Sequence, residues 1–220
     1  MKVELVGITA PIGAYAEATP EALITHMARV SNPSNQNTAQ DSDKLIRYLI
    51  KNQHWSPFEM VNVVMEINVQ RDIARQILRH RSFSFQEFSQ RYADPTKELS
   101  FDLREARLQD KKNRQNSIET DDKELDHEWK IKQMDAVSHA VNAYKWAIEN
   151  GIAKEQARAV LPEGITMSRM YMNGTLRSWI HYCQLRMANG TQKEHMEVAK
   201  ECWKVIADKF PNVVKAIEND

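Results

Sequence analysis

The spacing of apolar residues changes several times along this chain, and each change marks an element. Residues 2–8, KVELVGI, alternate and are rich in β-branched types, which predicts a strand. In TPEALITHMARVS, Thr19 stands ahead of Pro20 and Glu21 as cap and first turn, and Leu23, Ile24, Met27 and Ala28 follow at helical spacing. SNPSNQNT, residues 31–38, is polar punctuation. Leu45, Ile46, Leu49 and Ile50 then share one face of a second helix that ends at His54. In HWSPFE, Pro57 biases Ser56 away from helical geometry and predicts a turn.

The run MVNVVMEINVQ places Val61, Val63, Met65, Ile67 and Val69 at a period of two, a strong strand signal. DIARQILRH switches back to the helical period, with Arg75 and Arg79 on one face and His80 and Arg81 delivered to SFSFQEFSQRY, a loop or irregular strand. Residues 97–128 are highly charged and contain no glycine or proline, so they are expected to be a solvated, partly mobile insert. A long helix follows over 122–149 through Leu125, Trp129, Met134, Val137, Val141, Tyr144 and Ile148, with Gly151 as its stop. AKEQARAVLP predicts a helix ending near Pro162, and ITMSRMYM alternates as a strand does. Asn173 and Gly174 precede the helix TLRSWIHYCQLR, which sets Arg177, His181 and Gln184 along one side. KEHMEVAKECWKVIADKF is a further amphipathic helix, and NVVKAIEND closes the chain. The expected class is α+β, a mixed or antiparallel sheet packed with several helices, one of them long.

At 220 residues, one domain spanning 1–220 suffices, since a chain of this size buries roughly 70% of its unfolded surface. Lys plus Arg and Asp plus Glu are 30 each, so no net field draws the molecule to nucleic acid or an anionic membrane. Anion specificity must therefore be local. MKVELVGITAPIGAYA is neither a signal peptide nor a spanning helix, and no other window approaches the ~20 apolar residues a bilayer requires, which implies a cytoplasmic protein. Cys183 and Cys202 fall in helical patterns where a small buried residue is the ordinary role. The seven histidines form no HxxxH or HExxH pair, so no metal site is expected.

Between 75 and 92, RQILRHRSFSFQEFSQRY gathers four arginines and a histidine in an otherwise neutral chain. Planar guanidinium forks bind phosphate bidentately, so such a cluster needs a phosphorylated partner to face. Within it, RHR at 79–81, seven intervening residues and Ser89 resemble the RHRx7S signature of the flavin-dependent thymidylate synthases. HWSPFE, ARAVLP and TLRSWIHYCQLR resemble three further segments of that family, in the same order and at similar spacing.

That resemblance implies a homotetramer that methylates deoxyuridine monophosphate (dUMP) at C5, with methylenetetrahydrofolate as carbon donor, FAD as hydride carrier and NADPH as reductant. It implies no cysteine nucleophile. Arg186 corresponds to the catalytic arginine that activates the uracil ring, its charge favouring the ionised pyrimidine and raising electron density at C5. The nucleotide is expected against Gln76, Ile77, Leu78, Arg79, Glu87, Phe88, Ser89, Gln90, Arg91 and Arg158 as well as Arg186. The flavin is expected against Ser56, Arg79, His80, Arg81, Arg177, His181 and Asn173, and His54 is a candidate for the folate or the flavin. Gln86 stands where the family commonly has asparagine, which keeps the amide chemistry with a longer reach.

Two readings from other classes compete. In a nucleic-acid-binding module, the RHR cluster would grip backbone phosphate while Phe83 and Phe85 stack on bases, against which zero net charge argues. In a non-catalytic helical assembly protein, the 122–149 helix would carry the contacts.

Overall fold

The structure, a computed structural model, describes residues 1–32 and 42–219, so most of the polar 31–38 stretch lies outside the described residues. Strand β1 (Lys2–Ile8) leads through a 3-10 turn to helix α1 (Pro20–Ala28), capped by the Thr19 hydroxyl, which accepts from Ala22 N at 3.1 Å. Helix α2 (Ser42–Lys51) stops before His54, because Gln53 turns the chain at a φ of 56° and His54 N donates back to Leu49 O at 2.8 Å. Ser56–Glu59 is a 3-10 turn, and β2 (Asn62–Gln70) runs straight into α3 (Arg71–Ile77). β3 (Ser84–Glu87) and the short α4 (Pro95–Glu98) follow, then β4 (Arg107–Gln109), β5 (Ser117–Glu119) and α5 (Lys123–Glu149). The chain ends with α6 (Lys154–Ala157), β6 (Met167–Thr175), α7 (Leu176–Met187), α8 (Lys193–Lys209) and α9 (Pro211–Glu218).

The class is α+β. Four strands form one antiparallel sheet in the order β1-β2-β6-β3, and β4 and β5 pair separately as a hairpin. Register aligns Met65 with Met172 and Ile67 with Met170, so the buried positions of the two central strands stand side by side. Glu66, Arg169, Tyr171 and Asn173 alternate onto the other face. Helices α7 and α8 cover the apolar face with Trp179, Val198 and Ile206, Phe210 and Val213 of α9 extend the same core, and Trp179 Nε1 donates to Val63 O at 3.0 Å within it. Each such large apolar side chain contributes roughly 1.5–3 kcal/mol by leaving water. Phe83 belongs to this core, packing edge-on against Trp179 at 4.9 Å and over Gly174, where any β-carbon would strike its ring. It has no free face on which a base could stack, which removes half of the nucleic-acid reading.

One local expectation is corrected. Helix α3 ends at Ile77, so Arg79 lies beyond it and does not share a helical face with Arg75. Asn173 and Gly174, which precede helix α7, are strand residues of β6 paired with β2. The charged 97–128 segment has no buried residue and is exposed along most of its length, as expected, but several of its charges are held by long-range polar contacts. Its Asp102 accepts from Gln70 Nε2 at 3.2 Å, and Arg104 Nη2 bonds Asp72 Oδ1 at 2.6 Å. Gln133 on α5 bonds both the Arg104 N–H and C=O at 2.8 Å each. Lys193 on α8 pairs with Glu105 at 2.7 Å and Glu119 at 2.6 Å.

Helix α5 is 27 residues long yet buries only Gln133, Tyr144 and Ala147. Leu125, Trp129, Ile131, Met134 and Trp146 are exposed along it. Cys183 and Cys202 are both buried, and burial raises both thiols well above their ordinary value.

Candidate active site

One group of candidate residues lines a cationic cleft. The first turn of α3 is tied to the loop before β6 by Arg71 N to Thr166 O at 2.9 Å and Asp72 N to Glu163 O at 3.3 Å. That junction sets Arg71 and Arg75, four apart on one helical face, beside Arg158 and Glu163. With Gln90, Ala159 and Leu161 they enclose about 360 Å³. The Arg71 side chain is only 6% exposed, and Glu87 lies 3.5 Å and Glu163 3.9 Å away. Burial opposes the Arg71 charge while those carboxylates favour it. Arg75 Nη2 donates to Glu163 Oε1 at 3.1 Å, Ser168 Oγ to Glu87 Oε1 at 2.7 Å, and Arg158 Nε to Glu155 O at 3.3 Å. Three guanidiniums thus face two carboxylates, which leaves the cleft positive. Buried Gln90 also lines it, with an Nε2 lacking a partner among the described residues. An unsatisfied buried donor costs about 1–3 kcal/mol, so an anion rich in acceptors fits this cleft.

The second group is half-buried, with Tyr182 and His195 fully inside, and carries a single guanidinium. Thr175 caps α7 by accepting from Ser178 N at 3.2 Å, and the helix carries Arg186 in its last turn. Arg186 Nε donates to His80 Nε2 at 2.9 Å, a bond between residues 106 apart. Neither terminal nitrogen of Arg186 has a partner among the described residues. Burial, and then the adjacent guanidinium, push His80 down to about 4, so its imidazole is neutral at pH 7 and free to accept. His80 stands edge-on to Tyr182 at 4.8 Å. The Tyr182 hydroxyl lies 3.1 Å from His195 Nε2, and His195 Nδ1 lies 3.2 Å from Gln76 Oε1. His195 is fully buried and, chiefly for that reason, lowered to about 3.

A third group lies at the other end of α7. His181 lies at the surface there, 4.8 Å edge-on from Trp55, and partial desolvation of its ring, followed by the charge of Arg177, lowers its pKa. Arg177 Nη1 pairs with Glu59 Oε1 at 2.5 Å, which joins α7 to the turn that carries Ser56. His54 is exposed and edge-on to Tyr48 at 5.8 Å. These surface aromatic and cationic side chains offer ring edges and donors of the kind an isoalloxazine ring can use.

Of the remaining candidates, Arg79, Arg81 and Asn173 are exposed. Phe88 N donates to Arg169 O at 2.8 Å, and the Ser89 hydroxyl accepts from Arg91 N at 3.3 Å. Arg91 pairs with Glu155 at 3.3 Å. Ile77 is fully buried and Leu78 packs on the core. Helix α3 serves the first two groups, with Arg71 and Arg75 at the cleft and Gln76 toward α8, but no hydrogen bond or ion pair joins these groups among the described residues.

Sequence reasoning missed Arg71, Glu163, Tyr182, Gln192, Glu194 and His195. Arg71 carried a faint signal, a cation where a strong strand pattern ends. His195 gave none, since it falls on the apolar stripe with Val198, Ala199, Cys202 and Ile206.

A family model described as thymidylate synthase complementing protein matches residues 14–212. The chain is 43% identical over 218 residues to a probable flavin-dependent thymidylate synthase of Paramecium bursaria Chlorella virus 1, covering 99% of each chain. It is 47% identical over 203 residues to the flavin-dependent thymidylate synthase of Synechocystis sp., covering 91% of this chain and 90% of that one. Among solved structures, the UMP/dUMP methylase PolB from Streptomyces cacaoi, bound with 5-Br dUMP, superposes with a TM-score of 0.82 at 27% identity, covering 99% of this chain and 94% of that one.

Proposed function

Because this chain belongs to the thymidylate synthase complementing family, the flavin-dependent thymidylate synthases, we propose that its cationic cleft and its Arg186 group together bind dUMP and activate its base. The protein is a methyltransferase that converts dUMP to thymidylate by reductive methylation at C5, with FAD as cofactor. Methylenetetrahydrofolate donates the carbon, NADPH the reducing equivalents, and the reaction takes place in the cytoplasm on a single domain of residues 1–220. Bound FAD supplies the hydride chemistry.

The residues divide the work by charge. Arg71, Arg75, Arg158 and Arg91, with the spare donor of Gln90, hold the phosphate, where several guanidiniums share a dianion. Arg186 gives its Nε to neutral His80 and keeps both terminal nitrogens for the imide edge of uracil. A fixed cation there favours the ring form with negative charge on N3 and oxygen, which enriches C5 without attack by a protein nucleophile. Arg79, His80, Arg81, Ser56, Arg177, His181 and Asn173 border the flavin, and His54 lies toward the folate. The exposed apolar row on α5 packs against further copies of the chain in a homotetramer, which light scattering measures directly.

The observation that carries this reading is the 2.9 Å bond between His80 of the RHR motif and Arg186. Tritium release from C5-labelled dUMP tests it, with FAD, folate and NADPH omitted in turn. Release must depend on FAD and on folate, and its absence in the complete mixture overturns the reading.

A further inference from the structure

Hydrogen bonds around Gln76 run in one direction, and a group that can only accept sets that direction. Arg107 of β4 holds Glu194 Oε1 in an ion pair in which neither side chain is more than 14% exposed. The carboxylate has no proton to give, so Gln192 turns its amino group toward it, Nε2 to Oε2 at 3.0 Å. Gln192 Oε1 is then left to accept from Gln76 Nε2 at 2.8 Å. Gln76 Oε1 in turn faces His195 Nδ1 at 3.2 Å, so that nitrogen carries the ring proton, and Nε2 accepts from the Tyr182 hydroxyl at 3.1 Å. His195 is buried and neutral, with one proton to place, and the row places it. A carboxamide has nearly the same shape in both flips, so packing alone would not choose between them.

We propose that Glu194, clamped by Arg107 of the charged hairpin, acts through Gln192 to hold the Gln76 carboxamide in one orientation, with His195 closing the far end. Gln76 then offers one N–H and one carbonyl lone pair, in fixed places, to the polar edge of the pyrimidine nucleotide. Glu194, Gln192 and His195 are positioning residues, and the hairpin of the 97–128 segment anchors the row. The inference rests on dUMP being the substrate.

The test is a double-mutant cycle on the FAD-loaded protein, with dUMP affinity read from the flavin absorbance and turnover measured in parallel. Gln192→Leu is expected to weaken dUMP about tenfold, the worth of one hydrogen bond to a neutral partner, while FAD content and kcat at saturation hold. On a Gln76→Ala background the same substitution is expected to cost nothing more. His195→Leu should repeat the Gln192→Leu loss, and His195→Asn, which places an N–H near the position of Nδ1, should restore most of it. Additive losses in the cycle, or equal losses for His195→Leu and His195→Asn, overturn the inference. If Gln192→Leu fails to fold, the His195 pair decides. Failure of the unaltered protein to bind dUMP would instead sink the substrate assignment.

Discussion

The cleft of Arg71, Arg75 and Arg158 and the half-buried row of Arg186, His80, Tyr182, His195 and Gln76 are built on opposite principles. In the cleft, guanidiniums outnumber carboxylates beside an open volume, so attraction is Coulombic, tolerant of small displacements and weakened by salt. The row contains one guanidinium, and its two histidines are held neutral by burial. It acts through where single protons and lone pairs lie. A phosphate can be captured by charge alone, whereas activation of a pyrimidine needs a donor within tenths of an ångström of one edge. In the proposed function these demands fall to the two regions separately, with Arg71 and Arg75 of α3 at the cleft and Gln76 of α3 toward α8.

Each prediction pulls the two regions apart. Arg186→Ala should leave FAD bound but lower turnover by about a hundredfold or more, the usual scale for a lost electrostatic stabiliser, in the tritium-release assay at saturating dUMP. Unchanged turnover would end its assigned role. Arg158→Ala should instead act on binding: dUMP affinity falls about tenfold to a hundredfold and its salt dependence flattens, while deoxyuridine, which lacks phosphate, is held as before. Equal losses for nucleotide and nucleoside would place Arg158 away from the phosphate.

Acid should expose the row. Unfolded histidine takes its proton near 6.5, but His80 does so at about 4 and His195 at about 3 in the folded chain. Between those values the unfolded state binds more protons, so stability is complete above pH 6.5 and declines as pH falls. The slope is roughly 1.4 kcal/mol per pH unit for each histidine still neutral, measurable as urea midpoints at pH 7 and pH 5. The smallest effect is expected from Cys183→Ser with Cys202→Ser, which should keep full chemistry and lose about 1 kcal/mol per buried hydroxyl by thermal unfolding. Loss of turnover in a folded double variant would point to a thiol mechanism.

Elements whose signal lies within a few residues were legible in advance. The period-two runs of β1 and β2, the Thr19 cap and the apolar face of α2 all depend on neighbours in sequence. The RHR motif and Arg186 were legible as chemistry by resemblance, but their union was not, because nothing local relates residues 106 apart. Within the 97–128 segment, exposed along most of its length, the partners of a few charges were hidden for the same reason. Its charges looked destined for water, yet Arg104, Arg107 and Glu119 find partners at Asp72, Glu194 and Lys193. His195 misled in the opposite sense, since a position on an apolar stripe says that a side chain is buried but not what it touches.

By itself the amino-acid sequence determined the periodic elements, the overall neutrality that makes anion binding local, and the residue types able to grip phosphate and polarise a pyrimidine. Tertiary structure alone decided which arginines share a cleft, which histidines lose their charge, and which way the Gln76 amide points. The division follows from range. Backbone periodicity and charge inventory are sums over near neighbours, whereas desolvation and hydrogen-bond direction depend on what distant segments bring within about 3 Å.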